Sequence, residues 1–532
     1  MLKSWQVKHF KSIIEATLEP GHVSILTGLN NAGKSSLLES ILMIAATLSS
    51  QQKNLPLLLP PISLAETDRD ILSDTATEKL EKTHADEIVS FHFELKLPVK
   101  NEENPPIPAQ QTTSCVSQLV KVAVSFRFEK VSHMRARASE QIAGRPFKGT
   151  NPVIQCLKIT FPAVSKGDEE ITFCLDSVSE QQNQGIPSQT FGPDYRLAHP
   201  GRFYVNGKPR PDTYLVQEFF HFLPQRLLAV SYFPEQTTGY LEQPESRHLA
   251  LLNSVVKQVE RFFSQQVHYL GPRRTSASAT EQAEHAGESR DDNVGPKGAH
   301  AAALYHQHAT ETIMWYDPEK QQIKHSALEE AVNCWIQYLG IADSVTTRES
   351  AHGIFWQVRQ RAGGQWYALP ATGNSTRQLL PLLVMGLLAV PGSLLLVEQP
   401  ELFLHQSAQA GLGDFFVGLA MCGKQSLIET QSENLVAQLR YHIVLEGGDA
   451  SDKYVFYFAD HDDEGFARFT PIEISPRGAV VNWPEGFFSE TLLQEESIRF
   501  TYMKKKFEAR QADERRVVQQ GGELVQDERH SG

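Results

Sequence analysis

The sequence predicts an α/β fold, and three observations support this prediction. Near the N-terminus an apolar run, Val23 to Thr27, leads into a glycine-rich turn and then into a helical pattern from Lys34. A second apolar run, Ser393 to Val397, ends in acidic residues and is typical of a strand buried in a parallel sheet. Between these segments, short strand-like runs alternate with polar, proline-containing stretches, which predicts a β-rich insertion.

Composition limits the class of protein. The chain has 532 residues, enough for two or three packed domains. Fifty Lys and Arg against 63 Asp and Glu give a net charge of −13, so a nucleic-acid partner, which stays open, would need a local basic groove. Five scattered cysteines without C-x-x-C spacing indicate neither a disulfide framework nor a thiolate metal site. With no apolar leader pattern and no apolar run of about 20 residues, we expect a cytoplasmic protein without a membrane partner.

The same patterns divide the chain into five regions. A helix is expected over 301–340, because Trp315, Leu328, Val332, Trp335 and Leu339 recur on one apolar face. The predicted regions are 1–50, the first half of the α/β fold; 51–225, the β-rich insertion; 226–375, mainly helical with a mobile loop at 275–300; 376–490, the second half of the α/β fold; and 491–532, a charged tail.

The glycine turn fits the phosphate-binding pattern G-x-x-x-x-G-K-[ST] at every required position, from Gly28 through Gly33 and Lys34 to Ser35. It follows a predicted strand and precedes a predicted helix, as the pattern requires. The glycines let backbone N–H groups surround an anion, and the helix N-terminus adds positive charge. Lys34 is expected on the β and γ phosphates of ATP, and the Ser35 hydroxyl on Mg²⁺.

The second apolar strand carries Glu398 to its carboxyl end, followed by Gln399, Pro400 and Glu401. Since ligands bind beyond the carboxyl ends of parallel strands, Glu398 should lie beside the phosphate loop. A carboxylate there is a candidate ligand for Mg²⁺.

One tempting motif favours a different class of protein, a metal-dependent nuclease acting by itself. Glu446, followed by Asp460 and Asp462, imitates the carboxylates of a Toprim nuclease domain. The separation of Glu446 from Asp460 is too short for a crossover between parallel strands. We therefore expect a hairpin turn after Asp460 and no nuclease activity in this chain.

Several segments together resemble the SMC-like ABC ATPases, and more narrowly the bacterial AAA-type ATPases related to the nucleases that overcome lysogenization defects, here without the Toprim domain. The resemblance is carried by ILTGLNNAGKSSLLESILMI, LLLVEQPELFLHQSAQAGL, LIETQSENLVAQLR and WPEGFF. It implies a P-loop NTPase fold of the ABC type, in which the two halves of an ATPase head form a single sheet. It also implies a homodimer or higher homo-oligomer that holds ATP between its heads.

The resemblance assigns further residues to the site. It places Asn30, Asn31, Ala32 and Ser36 in the phosphate loop, and a signature segment around Gly373, Ser375 and Gln378 against a partner's nucleotide. Arg273 becomes a candidate phosphate or subunit contact, with an exposed structural arginine as the alternative.

Two positions depart from the family pattern. Gln399 stands where a catalytic glutamate is usual, and Gln431 stands where a γ-phosphate-sensing histidine is usual. Glutamine cannot take a proton from water, so Glu401 could act as the base, or Gln399 could orient the water. Both departures predict slow hydrolysis of ATP.

The resemblance implies a biological role as well. It suggests an ATPase that controls a separately encoded effector, a nuclease or a toxin, in bacterial anti-phage defence or genome surveillance. The alternative is a sensor or scaffold that binds ATP without hydrolysing it and stores and releases the effector. The sequence leaves the trigger, the oligomer size and the role of residues 51–225 open.

Overall fold

The computed structural model describes residues 1–50, 57, 88–98, 117–130, 150–162, 170–176, 200–230, 247–274, 293–350, 353–447, 453–482 and 484. Met1–Val481 forms one unit that contains every helix and strand named below. Asn482–Gly532 forms a second unit.

A mixed six-stranded sheet forms the centre of the fold. Five of its strands are parallel, and the last one, at an edge, is antiparallel. In spatial order the strands are β11 (Val267–Leu270), β17 (Leu394–Glu398), β18 (Gln425–Glu429), β3 (Val23–Gly28), β19 (Tyr454–His461) and β20 (Ala467–Ile472).

Both ends of the chain contribute to this sheet. Strand β3 comes from the first fifty residues, yet Ile25 pairs with Ile428 on one side and with Phe456 on the other. Strands β17 and β18 are buried along their whole length, as their continuous apolar sequences predict for strands covered on both faces. The parallel strands end at one edge, where Gly28, Glu398 and Glu429 lie.

A second, nine-stranded sheet is antiparallel throughout and contains the predicted β-rich segment. Its strand order is β10-β9-β8-β7-β6-β5-β4-β1-β2, so consecutive strands are mostly neighbours. The sheet continues to Val230, past the predicted boundary at 225. Its strands are β1 (Leu2–Phe10), β2 (Ile13–Leu18), β4 (Val89–Pro98), β5 (Ser117–Lys130), β6 (Thr150–Pro162), β7 (Glu170–Asp176), β8 (Pro200–Val205), β9 (Lys208–Phe220) and β10 (Leu223–Val230).

Helix α1 (Lys34–Ser49) contacts strands of both sheets, β1 on one side and β3 and β11 on the other. The aromatic ring of Trp5 stacks on Phe93, and its indole N–H donates to Ser40 Oγ of α1 at 2.9 Å. The buried side-chain amide of Gln425, at the start of β18, accepts from the backbone N–H of Leu2 on β1 and donates to its carbonyl oxygen, both at 2.9 Å. The helix that follows the phosphate loop is therefore held in place by the cores of both sheets.

The remaining elements follow β10. Helix α2 (Arg247–Arg261) continues into a π-helical turn (Phe262–Gln266), and helix α3 (Ala301–His308) precedes a hairpin of β12 (Thr312–Asp317) and β13 (Gln322–Ala327). Further along lie α4 (Leu328–Tyr338), β14 (Ser344–Ser350), β15 (Gly353–Arg359), β16 (Trp366–Ala368), α5 (Asn374–Leu388), α6 (Gln406–Met421) and α7 (Glu433–Glu446).

The prediction of one helix over 301–340 is wrong in its middle part. Trp315 lies on β12, where its indole N–H donates to Ser326 Oγ of β13 at 2.9 Å. The Asp317 carboxylate accepts the backbone N–H groups of Glu319 and Lys320, both at 3.0 Å. This turn, which contains Pro318, reverses the chain where the helical pattern predicted continuity.

The α/β class predicted from the sequence is confirmed, with its phosphate loop, its β-rich segment and its helices. Most of the predicted loop at 275–300, and the charged tail at 491–532, lie outside the described residues. Within the described ranges, no helix is long and apolar enough to cross a membrane.

Candidate nucleotide-binding site

The phosphate loop connects the end of β3 to the start of α1, and its two glycines are required by the backbone. Gly28 has φ +131°, and a Cβ atom there would lie 2.1 Å from the carbonyl oxygen of Ala459 on β19. Gly33, at the N-cap of α1, has φ +80°. These are conformations that residues with side chains rarely adopt. The loop thus turns tightly against β19 and leads directly into the helix.

The Lys34 side chain folds back onto its own loop. Its ammonium group donates to the carbonyl oxygens of Gly28 at 3.1 Å and Leu29 at 2.6 Å. Burial lowers the pKa of Lys34, and the nearby Glu429 carboxylate opposes this shift. A phosphate group would offer the ammonium a charged acceptor in place of neutral carbonyls.

The other loop residues differ in exposure. Ala32 is buried, Ser36 is half-buried, and Asn30 and Asn31 are exposed, Asn31 with φ 63°. The Gln431 side-chain amide donates to Asn30 Oδ1 at 2.7 Å, so the predicted phosphate-sensing position touches the phosphate loop directly.

Ser35 meets an acid that the sequence analysis did not single out. The Ser35 hydroxyl donates to Glu429 Oε2 at 2.8 Å. Glu429 ends β18, the strand between the phosphate-loop strand and the strand of Glu398. Its side chain is 6% exposed. The sequence did contain a signal for Glu429, because this residue ends the short apolar run LIE. The same rule, an acid at the carboxyl end of a buried parallel strand, identified Glu398.

Glu398 ends β17 and lies directly opposite Glu429 in the parallel register. Its Oε1 atom accepts the Tyr269 hydroxyl at 2.8 Å. Burial and the charge of Glu429 raise the pKa of the Glu398 carboxyl to about 7. Tyr269 was not predicted, because it reaches this position through the pairing of β11 with β17.

Glu401 is a third buried acid beside these two. Its Oε1 atom accepts the backbone N–H of Gln431 at 2.8 Å. Its Oε2 atom is buried and has no hydrogen-bond partner among the described residues. Burial raises the pKa of Glu401. One oxygen of the candidate base is therefore anchored, and the other can accept a proton.

Gln399 has a strained backbone between Glu398 and Glu401. Its φ is 44°, in the left-handed region, and its N–H donates to the Glu429 carbonyl oxygen at 2.7 Å. A non-glycine residue held in that region is a conformation concentrated at functional sites. The side chain is half-buried.

A buried arginine joins the segments around the acids. The Arg274 guanidinium donates to the carbonyl oxygens of Gly271 at 3.1 Å, Gln378 at 2.8 Å and Glu398 at 3.0 Å. Burial lowers the pKa of Arg274 to about 10. Arg273, the candidate from the sequence, is exposed, and its neighbour Arg274 supplies the structural contacts.

The predicted signature segment begins helix α5. Gly373 is its N-cap and is exposed, and Ser375 in the first turn is half-buried. Gln378 is only 6% exposed, so its side chain faces the interior of this chain. Gly373 and Ser375 remain the candidates for contact with a second subunit.

The acids suit a magnesium ion that arrives with a nucleotide. Within the described ranges, no group of three or more His, Cys, Asp or Glu side chains is arranged to hold a metal ion alone. Mg²⁺ is commonly bound through one or two carboxylates together with substrate phosphates. The Ser35 hydroxyl and the Glu398 carboxylate are oxygen ligands of this kind.

The carboxylates of the nuclease-like motif have other partners. Asp460 forms a two-pronged ion pair with Arg468, across the predicted hairpin of β19 and β20. Glu446 accepts from Lys453 Nζ at 2.8 Å and from the Tyr454 hydroxyl. Asp462 Oδ1 accepts the backbone N–H groups of Glu464 and Phe466, at 3.0 Å and 2.8 Å.

No protein-family model and no curated protein matches this sequence. Among the solved structures that match it are SMC head domains of low identity. The SMC head domain from Thermotoga maritima is 10% identical, with 89% of this chain and 99% of that chain covered and a TM-score of 0.32. The SmcHead bound to the C-winged helix domain of ScpA is 9% identical, with 88% and 97% covered and a TM-score of 0.34. A Pyrococcus furiosus Smc head with the C-terminal domain of ScpA is 8% identical, with 94% and 99% covered and a TM-score of 0.31.

Proposed function

We propose that this chain is an ATPase head of the ABC type that binds ATP with Mg²⁺ and pairs with a second copy of itself around the nucleotide. The observation that supports this most is the convergence of the phosphate loop with three buried acids at one edge of the parallel sheet. Backbone N–H groups of the loop and the N-terminus of α1 would bind the phosphates. Lys34 would exchange its loop carbonyls for phosphate oxygens.

Different residues of the site would have different roles in ATP binding and hydrolysis. Ser35 and Glu398 would hold Mg²⁺, which neutralises developing charge on the phosphates when it is bound. Glu401 Oε2 would accept a proton from the attacking water, and Gln399 would orient that water. Hydrolysis would be slow, because the usual catalytic glutamate is replaced by Gln399 and the usual sensing histidine by Gln431.

The wider role follows from the resemblance and belongs to the same proposal. Exposed Gly373 and half-buried Ser375 would meet the nucleotide of a partner head in a homodimer or higher homo-oligomer. Pairing and separation of heads would then control a separately encoded nuclease or toxin in anti-phage defence.

A second candidate function is supported by the two glutamines. The Gln431 side chain donates a hydrogen bond to Asn30 of the phosphate loop. Neither Gln431 nor Gln399 can take a proton from water. Both properties favour a scaffold that binds ATP without hydrolysing it. Its subunits would stay assembled around the nucleotide and would release an effector when the assembly changes.

The test compares ATP turnover, ATP binding and oligomer mass in wild type, Lys34→Ala and Glu398→Gln. Lys208→Ala and Glu319→Gln change exposed residues of the same types on other elements and serve as matched controls. We expect both site variants to lose turnover and both controls to keep it. Tight Mg²⁺-dependent ATP binding without turnover in wild type would select the scaffold, and absence of ATP binding would refute both functions.

A further inference from the structure

The phosphate-loop serine has a buried acid, Glu429, within hydrogen-bond distance. The Ser35 hydroxyl donates to Glu429 Oε2 at 2.8 Å, whereas Glu398 is bonded to Tyr269 on the far side of β17 from the loop. In P-loop proteins this serine hydroxyl is a ligand of Mg²⁺. A carboxylate already within hydrogen-bond distance of that hydroxyl is in position to share the same ion.

The strand register brings the two acids together. Glu429 and Glu398 are paired residues on neighbouring parallel strands, so their side chains leave the sheet on the same face. Both are the last residues of their strands, and their side chains are 6% exposed. Their mutual repulsion is one cause of the raised pKa of Glu398.

These buried carboxylates lack a direct cationic partner among the described residues. Arg274 directs its guanidinium at three carbonyl oxygens, and the Lys34 ammonium donates to two loop carbonyls. Buried acids are normally paired with a cation or coordinate a metal. Lys34 opposes the raised pKa of Glu429, and Arg274 and Lys11 oppose that of Glu398, but none of these cations forms an ion pair with either acid among the described residues. A divalent ion would compensate the two carboxylates directly.

A purely structural role for Glu429 makes a different prediction. If the residue served only to accept the Ser35 hydroxyl and fix the start of α1, a neutral amide oxygen would serve equally well. A carboxylate ligand of Mg²⁺, in contrast, should hold the ion less tightly when a neutral amide replaces it. Glutamine at this position separates the two roles.

We propose that Glu429 is a further metal-binding residue, which holds the Mg²⁺ of the bound nucleotide together with Ser35 and Glu398. This inference rests on the proposed function, because the phosphates of ATP complete the ligand set. Metal alone is expected to bind weakly, since the described residues offer no group of three or more His, Cys, Asp or Glu ligands.

The experiment measures ATP affinity by calorimetry in Mg²⁺ and in EDTA, and Mn²⁺ binding by electron paramagnetic resonance with and without ATP. The variants are Glu429→Gln and the control Glu433→Gln, an exposed acid four residues later on α7. We expect Glu429→Gln to weaken Mn²⁺ binding to the ATP complex, and to reduce the Mg²⁺ enhancement of ATP affinity, by about 10- to 100-fold. Glu433→Gln should match wild type in Mn²⁺ binding and in the Mg²⁺ enhancement of ATP affinity.

The outcomes separate the inference from the proposed function. A Glu429→Gln protein that keeps the Mg²⁺ enhancement and the Mn²⁺ signal overturns the inference and leaves ATP binding intact. A wild-type protein that binds no ATP overturns the proposed function as well. If Glu429→Gln fails to fold, Glu429→Asp is measured instead. The shorter aspartate side chain should weaken Mn²⁺ binding several-fold without changing ATP affinity in EDTA. Unchanged Mn²⁺ binding would contradict the proposal.

Discussion

Replacing Arg274 by methionine should loosen the edge of the sheet that carries the three acids. Arg274 is 3% exposed and donates to carbonyl oxygens of three separate segments, at Gly271, Gln378 and Glu398. Methionine keeps the apolar part of the side chain and has no donor, so the substitution leaves those carbonyls without this partner and fills only part of the space. It also removes a positive charge near Glu401.

The magnitude follows from the three hydrogen bonds. Each bond to a charged group contributes about 1.5–3 kcal/mol, and an unsatisfied buried acceptor costs about 1–3 kcal/mol. The sum is an upper limit, because the guanidinium no longer loses its own hydration and neighbouring bonds do not add independently. We expect a loss of about 3 kcal/mol in the free energy of local opening.

Amide hydrogen exchange of peptides from β17 and α5 measures that opening free energy locally, so it does not need the whole chain to unfold in one step. Arg273→Met is the matched control, since Arg273 is adjacent and exposed, and its effect should stay within about 0.5 kcal/mol. Equal protection in the two variants would refute the argument that the guanidinium joins these segments.

Three further predictions concern neighbouring residues. The pKa of the Glu398 carboxyl is about 7 in the folded state and 4.5 in the unfolded state, so the folded state binds this proton more tightly. The free energy of unfolding of the nucleotide-free protein should therefore fall as the pH rises from 4.5 to 7. Urea titrations should show a flatter pH dependence for Glu398→Gln. Gly28→Ala should lower the melting temperature more than Gly207→Ala, because both have positive φ but only the first meets Ala459; equal effects would exclude the clash. Glu401→Gln should lower ATP turnover by about 100-fold with ATP affinity retained, and unchanged turnover would remove Glu401 as the base.

The sequence was sufficient for the phosphate loop and for the buried strand of Glu398. Both features are encoded by local sequence patterns. The first is a glycine spacing between a strand and a helix, and the second is an apolar run that ends in an acid. The β-rich character of the segment after α1 was predicted for the same reason, from short runs of β-branched and aromatic residues. The assignments of Gln399, Glu401 and Ser375 to catalysis and subunit contact stay predictions.

The contacts that the sequence could not supply depend on distant strand pairing. Tyr269 reaches Glu398 only because β11 lies beside β17, and no local pattern encodes that neighbour. Trp315 was predicted to lie on a helix together with later apolar residues, yet it lies on β12, and the Asp317 turn ends that strand. Periodicity cannot show which of two compatible patterns tertiary packing selects.

The place of β3 between β18 and β19 has a consequence for synthesis of the chain. The antiparallel sheet joins mostly consecutive strands, so its contacts can form while the chain emerges. Strand β3, in contrast, must wait for partners near the other end, and at about 5–20 residues per second that delay is on the order of tens of seconds. Any product of premature termination before β18 would carry a complete phosphate-loop sequence without Glu398's neighbour Glu429 or the strands that position the loop. The proposed nucleotide-binding site can therefore be completed only late in translation.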